Sequence, residues 1–463
     1  MQLALQPVLS RQEITCIHER SLELLERVGI QYNCRGALEI LEDRGCLVDY
    51  GRGWASLPPD LVEWALQQAP RIVRLAGRDP KRDVVLDGRR SHHTTDSQGT
   101  EAIDFESGER RNSTLYDLQQ AVRFADALDK IEIVNVTVSA SDVPAPMRVL
   151  RQFGAAFNGT SKPVRSGVYN RGQASWLVEL AKAVTGEETF RPIFSVVDCT
   201  ISPLMHDGPM TEACIDLARL GTPIMVYPMP MAGGTAPVTA AGTILVHNIE
   251  FLSGLTLFQC VRPGAEVIYG LGASQLDMRT GRYGGSASGY GLRLALSAMP
   301  RYYHLPCNIF GLSTSSSYLD AQYGHEATAA SLLAYLSGVD EIYSAGLLED
   351  AQVLSLEKMV LDNHLAAQLE RIVRPTTIDD LHLGAELIET VGIGGHYLSQ
   401  PETRAFTRTE YVPKWPSGDK TVLEEVREEA REIFYAHCSP PLPEGVEERM
   451  EAVLAEAAQA LAE

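Results

Sequence analysis

An α/β fold, a (β/α)8 TIM barrel with an N-terminal helical and small-sheet extension and a C-terminal helical tail, is what three features of this 463-residue chain predict. Short apolar runs alternate with helical segments from about residue 90 onward, the rhythm of a parallel sheet covered on both faces. Eight runs qualify, at 91–96, 131–139, 163–169, 192–199, 222–228, 265–271, 306–312 and 341–346, and eight units suit a closed barrel better than an open sheet. No run is followed by G-x-G-x-x-G opening a helix, so a dinucleotide-binding sheet loses support. The expected boundaries are an extension over 1–89, the barrel over 90–415 and the tail over 416–463.

Residues 8–70 read as helical. Ser10-Arg11-Gln12-Glu13 has the capping-box pattern, and Ile14, Ile17, Leu22, Leu24, Leu25 and Val28 recur at helical spacing before Gly29 ends the segment. A second helix is expected near 35–45 and a third near 58–68. The period then shortens. Ile72–Leu75 and Val84–Leu86 read as strands with Asp87-Gly88 as a turn, and Glu101–Arg111 as a further hairpin. Between the barrel strands, helices are expected at Thr114–Leu128, Gln173–Val184, Glu212–Leu220, Asn248–Cys260, Gly291–Tyr303 and His325–Leu336. Residues 421–463 form a charged, alanine-rich tail interrupted by Pro440-Pro441 and Pro443, which reads as packing or dimer structure.

Charge narrows the function. Sixty acidic residues against 40 basic ones leave a net charge of −20, which argues against an electrostatic grip on nucleic acid or an anionic membrane. The acidic excess suits solubility and, second, attraction of a cationic substrate. Eight cysteines lie at 16, 34, 46, 199, 214, 260, 307 and 438 without a C-x-x-C pair, so neither a zinc ribbon nor a dithiol motif is expected. The N-terminus shows no basic, apolar signal pattern, and no run approaches 18 uninterrupted apolar residues. A reducing cytoplasm is therefore the expected compartment.

In such a barrel the reactive groups sit at the C-terminal ends of the strands. Those ends carry no close set of zinc ligands, no G-x-S-x-G elbow and no P-loop. His92-His93 would point to opposite faces of a strand, so no protein-bound metal is predicted. Tyr169, Tyr227, Tyr283, Tyr290 and Tyr318 do fall in or near these loops, with Asp198, Asp277 and Glu349 as candidate balancing charges. Aromatic faces attract quaternary ammonium groups by roughly 0.5–2 kcal/mol per contact. Tyrosines that merely cap loops are the plain alternative.

At Gly233-Gly234-Thr235-Ala236-Pro237-Val238-Thr239 the chain resembles the trimethylamine methyltransferase family, in particular its members without pyrrolysine. Further matches follow in order: Thr114–Leu118, Ile201-Ser202-Pro203-Leu204, Arg262-Pro263-Gly264-Ala265, Val267–Gly270, Asp277-Met278-Arg279-Thr280-Gly281, Asp320-Ala321-Gln322, Gly346–Glu349 and Gly394–Leu398. The resemblance implies a barrel that moves a methyl group from a methylated amine, such as a betaine, to the cobalt of a corrinoid (cobalamin) held by a partner protein. It implies that cobalt(I) is the nucleophile, so no catalytic side chain is assigned. A quaternary nitrogen leaves as a neutral amine and needs no proton, which matches loops lacking a nucleophile–base pair.

On this basis Tyr169, Tyr227 and Tyr318 are candidates to line a methylammonium pocket. Gln275, Asp277, Arg279 and His325 are further substrate-binding candidates, Arg279 for a substrate carboxylate. For Asp277 and Arg279 the alternative is a mutual salt bridge. Glu326 reads as a charge favoured at its helix N-terminus. Gly233, Gly234 and Thr235 are candidates for corrinoid contact. The chain departs from its relatives at Gly289-Tyr290-Gly291, where many carry Pro-Glu, and at Ser315-Ser316-Ser317, where many carry Asp-Ser-Lys. The departures imply a larger or more aromatic cation site, or a repurposed relative. Two other readings stay open: a barrel lyase or isomerase with a general base such as Asp198 or His325, and a non-catalytic relative that docks a corrinoid protein. A homo-oligomer is also open.

Overall fold

The computed structural model describes residues 8–186, 190–281, 283–284, 287–410, 415–416 and 418–461. Its centre is a closed ring of eight parallel strands: β1 His92–Thr95, β2 Ile131–Asn135, β3 Val164–Gly167, β4 Phe194–Ile201, β5 Ile224–Tyr227, β6 Val267–Leu271, β7 Cys307–Phe310 and β8 Glu341–Ala345. Closure runs through β8 against β1, with Glu341 opposite His92, and every other neighbour is likewise parallel. Each strand matches one of the eight expected runs. Their Val- and Ile-rich composition follows from burial on two faces, one against the barrel axis and one against the outer helices. In β6 all five residues are buried.

The strands diverge from a uniform filling along the axis. At the N-terminal end the hairpin Val73–Leu75/Val84–Leu86 plugs the barrel, packing on Ile133, Met225 and Ile268. The Asp87-Gly88 turn does not close this hairpin. Residues 76–83 do, through a short 3-10 turn at Pro80–Arg82, and Gly88 (φ +73°) redirects the chain into β1. Above the plug lies a charged layer. Arg165 donates from Nη1 and Nη2 to the two Glu341 carboxylate oxygens at 2.6 and 2.7 Å, and from Nε to Ser195 Oγ at 2.9 Å. Both partners are buried.

The extension has the expected capping box at Ser10 and Glu13 and helices Arg11–Arg27, Arg35–Glu42 and Pro59–Gln68. It also contains three three-residue strands, Ile30–Tyr32, Leu47–Asp49 and Trp54–Ser56, where only helix was expected. Such short strands carry no usable period. The first is fixed by pairing with Met205–His206, far away in sequence. The three helices cover Ala240–Val261, a 22-residue helix that is long and apolar enough to cross a membrane but is mostly buried inside this molecule. Polar groups on it are met locally: Glu250 accepts from Thr200 Oγ1, Ser202 Oγ and the Leu204 amide at 2.5–2.9 Å. The tail forms helices Val422–Ala436 and Val446–Ala460, which pack on this chain's own barrel helices.

Candidate active site

Parity along each strand decides which side chains enter the barrel. Near the C-terminal end, β4 contributes Val197 and Cys199, β5 Tyr227, β7 Phe310 and β8 Tyr343. Val197, Cys199, Phe310 and Tyr343 keep partial exposure although they point at the axis, so the barrel is open at this end and plugged at the other. The rings form a cluster, with centroids 6.4 Å apart for Tyr227 and Phe310, 6.5 Å for Tyr227 and Tyr343, and 5.1 Å for Phe310 and Tyr343.

Two glycines make this arrangement feasible. A Cβ on Gly270 of β6 would lie 2.2 Å from Tyr227 Cδ2 and 2.8 Å from the Val226 carbonyl, and one on Gly272 would lie 2.5 Å from the Pro228 carbonyl. The backbone atoms cannot yield. Gly270→Ala is therefore expected to displace the Tyr227 ring and cost about 1–3 kcal/mol, as overpacking does. Urea unfolding of the variant beside wild type measures the loss.

Two charged groups join the aromatic cluster. Asp96, just beyond β1, is fully buried; its Oδ1 accepts from the Ser97 amide at 2.8 Å, and it shares the Tyr343 hydroxyl with Ser97 Oγ. Burial pushes its pKa up to about 6, partly offset by those hydrogen bonds. Arg293, from the helix Ala287–Leu296, places its guanidinium 4.7 Å from the Phe310 ring centroid and donates from Nε to the Ala273 carbonyl at 3.3 Å. Its Nη1 and the Tyr227 hydroxyl are buried and have no hydrogen-bond partner among the described residues.

The ends of β7 and β8 are held from behind. Lys358 Nζ, fully buried, donates to the Leu312 carbonyl at 2.7 Å, the Ser344 carbonyl at 3.3 Å and Asp362 Oδ2 at 2.7 Å. Ser344 has φ +101°, a conformation that costs a non-glycine residue about 1–3 kcal/mol and persists only where its surroundings impose it. It lies at a register shift between β8 and β1, next to the carbonyl of Ala345 that receives the Asp96 amide.

Of the residues singled out from the sequence, Tyr227 lies in this mouth. Tyr169 follows β3 at its rim and is 43% exposed. Tyr318 does not join them: it is 74% exposed and edges a separate groove with Ile103, Phe105 and Leu356. Tyr290 is buried and donates to the Glu326 carbonyl at 3.4 Å, so it packs two helices together. Tyr283 reaches the mouth, donating to the Gly272 carbonyl at 3.3 Å.

Gln275 sits on a three-stranded sheet at the rim, Met231–Ala232 with Ser274–Leu276 and Tyr283–Gly284. Asp277 forms the following turn, accepting from the Arg279 amide at 2.9 Å and Thr280 Oγ1 at 2.8 Å; Asp277 and Arg279 are both exposed. The guanidinium at the mouth is therefore that of Arg293. His325 is exposed on its helix, while Glu326 accepts from Thr314 Oγ1 and from the Ser315 amide and hydroxyl, anchoring the serine segment.

The expected balancing carboxylates go elsewhere. Asp198 has outward parity and lies buried behind β4, accepting from Thr211 Oγ1 at 3.1 Å with His206 Nδ1 at 3.4 Å. Glu349 pairs with Arg110 at 2.8 and 3.1 Å. The carboxylate that does enter is Asp96, which sequence reasoning passed over along with Arg293, Phe310 and Tyr343. Strand parity was the available signal for three of them: Asp96 closes the first apolar run, and Phe310 and Tyr343 lie two residues beyond Asn308 and Glu341.

Gly233 (φ +87°), Gly234 and Thr235 form a tight turn at the rim, with the Gly234 and Thr235 amides on the Met231 carbonyl. A Cβ on Gly233 would meet Met278 Sδ at 3.3 Å and Val238 Cγ2 at 3.7 Å, so these two largely exposed apolar side chains adjoin across it. Among the described residues no group of histidine, cysteine and carboxylate side chains is placed to hold a metal ion. His92 instead meets Glu132 at 2.8 Å, and His93 meets the Tyr335 hydroxyl at 3.2 Å.

The model of the family described as trimethylamine methyltransferase (MTTB) matches residues 2–461. The chain belongs to the trimethylamine methyltransferase family. It is 33% identical over 462 residues to a trimethylamine methyltransferase of Desulfitobacterium hafniense, covering 96% of this chain and 93% of that one. A trimethylamine methyltransferase of Methanosarcina thermophila is 30% identical, with 96% of each chain covered. A glycine betaine methyltransferase of Desulfitobacterium hafniense is 27% identical, covering 97% and 96%. This family member is built from the twenty standard residues alone.

Proposed function

We propose that this enzyme transfers a methyl group from a quaternary amine bearing a carboxylate, a betaine, to a corrinoid carried by a partner protein. The observation that carries the reading is the pairing, in one barrel mouth, of an aromatic cluster and a buried carboxylate with a guanidinium whose Nη1 is unmet. A quaternary ammonium offers no N–H, so it is recognised by ring faces and by charge. Tyr227, Phe310, Tyr343 and Asp96 supply both. Leaving a buried guanidinium nitrogen unpaired costs about 1–3 kcal/mol or more, and a substrate carboxylate would meet it together with the Tyr227 hydroxyl. Trimethylamine has no such group, so the glycine betaine relative is the better guide to substrate.

The chain's own residues then do three things. They orient the substrate by its two charges, exclude water from the methyl group and leave the departing amine unprotonated. A corrinoid, when docked, supplies the nucleophile that accepts the methyl group. The apolar rim at Gly233, Val238 and Met278 suits a large flat partner ligand better than a polar one, and we assign the Gly233-Gly234-Thr235 turn to that contact.

Incubation with a cognate reduced corrinoid protein and a panel of betaines and methylamines tests the proposal through the corrinoid's absorbance. Methylation by a betaine and not by trimethylamine is the expected result. Methylation by trimethylamine alone would overturn the carboxylate assignment.

The Asp96 carboxyl adds a pH signature. Its folded pKa is raised, so it is charged above about pH 6 and neutral below. Affinity for the cationic donor is expected to weaken as pH falls through that value, seen as a rising KM, and Asp96→Asn should flatten the profile. The same shift has the opposite sign for stability. The native state binds the proton more tightly, so this group's contribution to stability declines as pH rises from its ordinary range through about 6.

A further inference from the structure

A third unmet polar group lies beside the two already described in the mouth. Alternate residues of β6 and its continuation face inward. Ile268 packs into the plug cluster, and Gly270 and Gly272 meet the Tyr227 ring. Ser274 is the next residue of that series and is fully buried. Its backbone is engaged, since it opens the rim strand Ser274–Leu276 and its amide donates to the Pro230 carbonyl at 3.1 Å. Its hydroxyl is not: Ser274 Oγ has no hydrogen-bond partner among the described residues.

Three side chains with the same deficit adjoin one stretch of five residues, 270–274. The Tyr227 ring lies so close to Gly270 and Gly272 that a Cβ on either would collide with it. Arg293 Nε donates to the carbonyl of Ala273, the residue before Ser274. Tyr227 Oη, Arg293 Nη1 and Ser274 Oγ are all buried and all unmet. Tyr283 covers the stretch from the rim, and its own hydroxyl is committed to the Gly272 carbonyl. An unmet buried hydroxyl is destabilising, and alanine would fill nearly the same space without that penalty. Together the three groups offer a guanidinium and two hydroxyls, which is one positive charge and three donors. A carboxylate, with two oxygens and about four lone-pair sites, can accept from all of them. The negative charge of the mouth lies on another side, where Asp96 is held by Ser97 and Tyr343 at the ends of β1 and β8.

We infer that Ser274 is a further donor-binding residue. Its hydroxyl completes, with Arg293 and Tyr227, a three-donor seat for the carboxylate of the methyl donor. The carboxylate then lies toward β6, and the methylammonium toward Asp96 and Tyr343. Ser274 has this role only if the donor carries a carboxylate, as proposed above. No bond forms or breaks at the seat, and the hydrogen bond is the same before and during methyl transfer. Ser274 therefore acts on KM and not on kcat.

Titration calorimetry of the full chain with glycine betaine and with tetramethylammonium, without a corrinoid partner, tests this in wild type and Ser274→Ala. The variant is expected to raise the Kd for glycine betaine roughly ten- to a hundredfold, the loss of one hydrogen bond to a charged group, and to leave that for tetramethylammonium within about twofold. Its urea midpoint is expected at or above that of wild type, because the hydroxyl has no partner in the protein to lose. In the methyl-transfer assay its KM for glycine betaine should rise at an unchanged kcat. An unchanged Kd for glycine betaine overturns the assignment. So does an equal loss for both ligands or a lowered midpoint, either of which would show that Ser274 only holds the rim strand. If wild type binds glycine betaine no better than tetramethylammonium, the seat falls together with the betaine reading. If wild type prefers glycine betaine and Ser274→Ala matches it, the role of Ser274 alone falls.

Discussion

Arg293→Ala is expected to lower kcat/KM for a betaine by roughly thirtyfold to a few thousandfold. Truncating one partner of a buried, hydrogen-bonded charge pair costs roughly 2–5 kcal/mol, and each 1.4 kcal/mol is a factor of ten. The expected pattern is selective. Arg293 stacks over Phe310 and donates to the Ala273 carbonyl, so its removal also loosens the ring cluster, but modestly. A quaternary amine without a carboxylate, such as tetramethylammonium, should lose far less than a betaine does. Methyl transfer to the reduced corrinoid partner, compared between those two donors for wild type and variant, is the measurement. Equal losses for both would mean that Arg293 only shapes the mouth. Arg293→Lys keeps the charge but loses the planar fork, and is expected to recover part of the betaine activity at a raised KM.

The second large effect concerns stability. Arg165 and Glu341 are fixed side to side in the barrel axis, bidentate and buried. Removing one partner strands the other's charge, at a cost of about 3–5 kcal/mol. Glu341→Gln and Arg165→Met are each expected to fall in that range, read from the midpoint of urea unfolding. The double variant Arg165→Met, Glu341→Leu should be far less destabilised than either single change predicts, because it removes both charges together. Additive losses would show that the pair is not held together as a unit. A single variant as stable as wild type would show that water reaches the layer. The pair lies one layer below the aromatic mouth, so it also fixes the strands that carry Tyr343 and the β3 end.

The barrel was legible because its signal is local and repeated. Eight apolar runs at the spacing of strand–helix units need no knowledge of what they touch, and each became a strand. The capping box at Ser10 was legible for the same reason, since a cap is made within four residues. The three short strands of the extension were not, because Ile30–Tyr32 becomes a strand only when Met205–His206 arrives beside it.

The site divides along the same line. Tyr227 could be named from its place at a strand end. Tyr318, equally aromatic, lies in the loop eight residues beyond β7 and turned outward, whereas Tyr227 is the last residue of β5. Asp198 and Asp96 show the rule more sharply. Both are carboxylates near strand ends, but one residue of parity sends Asp198 behind β4 and Asp96 into the mouth. Arg293 comes from a helix and had no strand position to mark it.

Residue order alone therefore sufficed for family and barrel, since each rests on short motifs or repeated periods. Which carboxylate, which guanidinium and which rings converge depends on closure of the ring, where β8 meets β1 and brings Asp96 beside Tyr343. Convergence of groups far apart in the chain is set by strand parity, register and packing volume at Gly270 and Gly272, and those exist only once the barrel has closed.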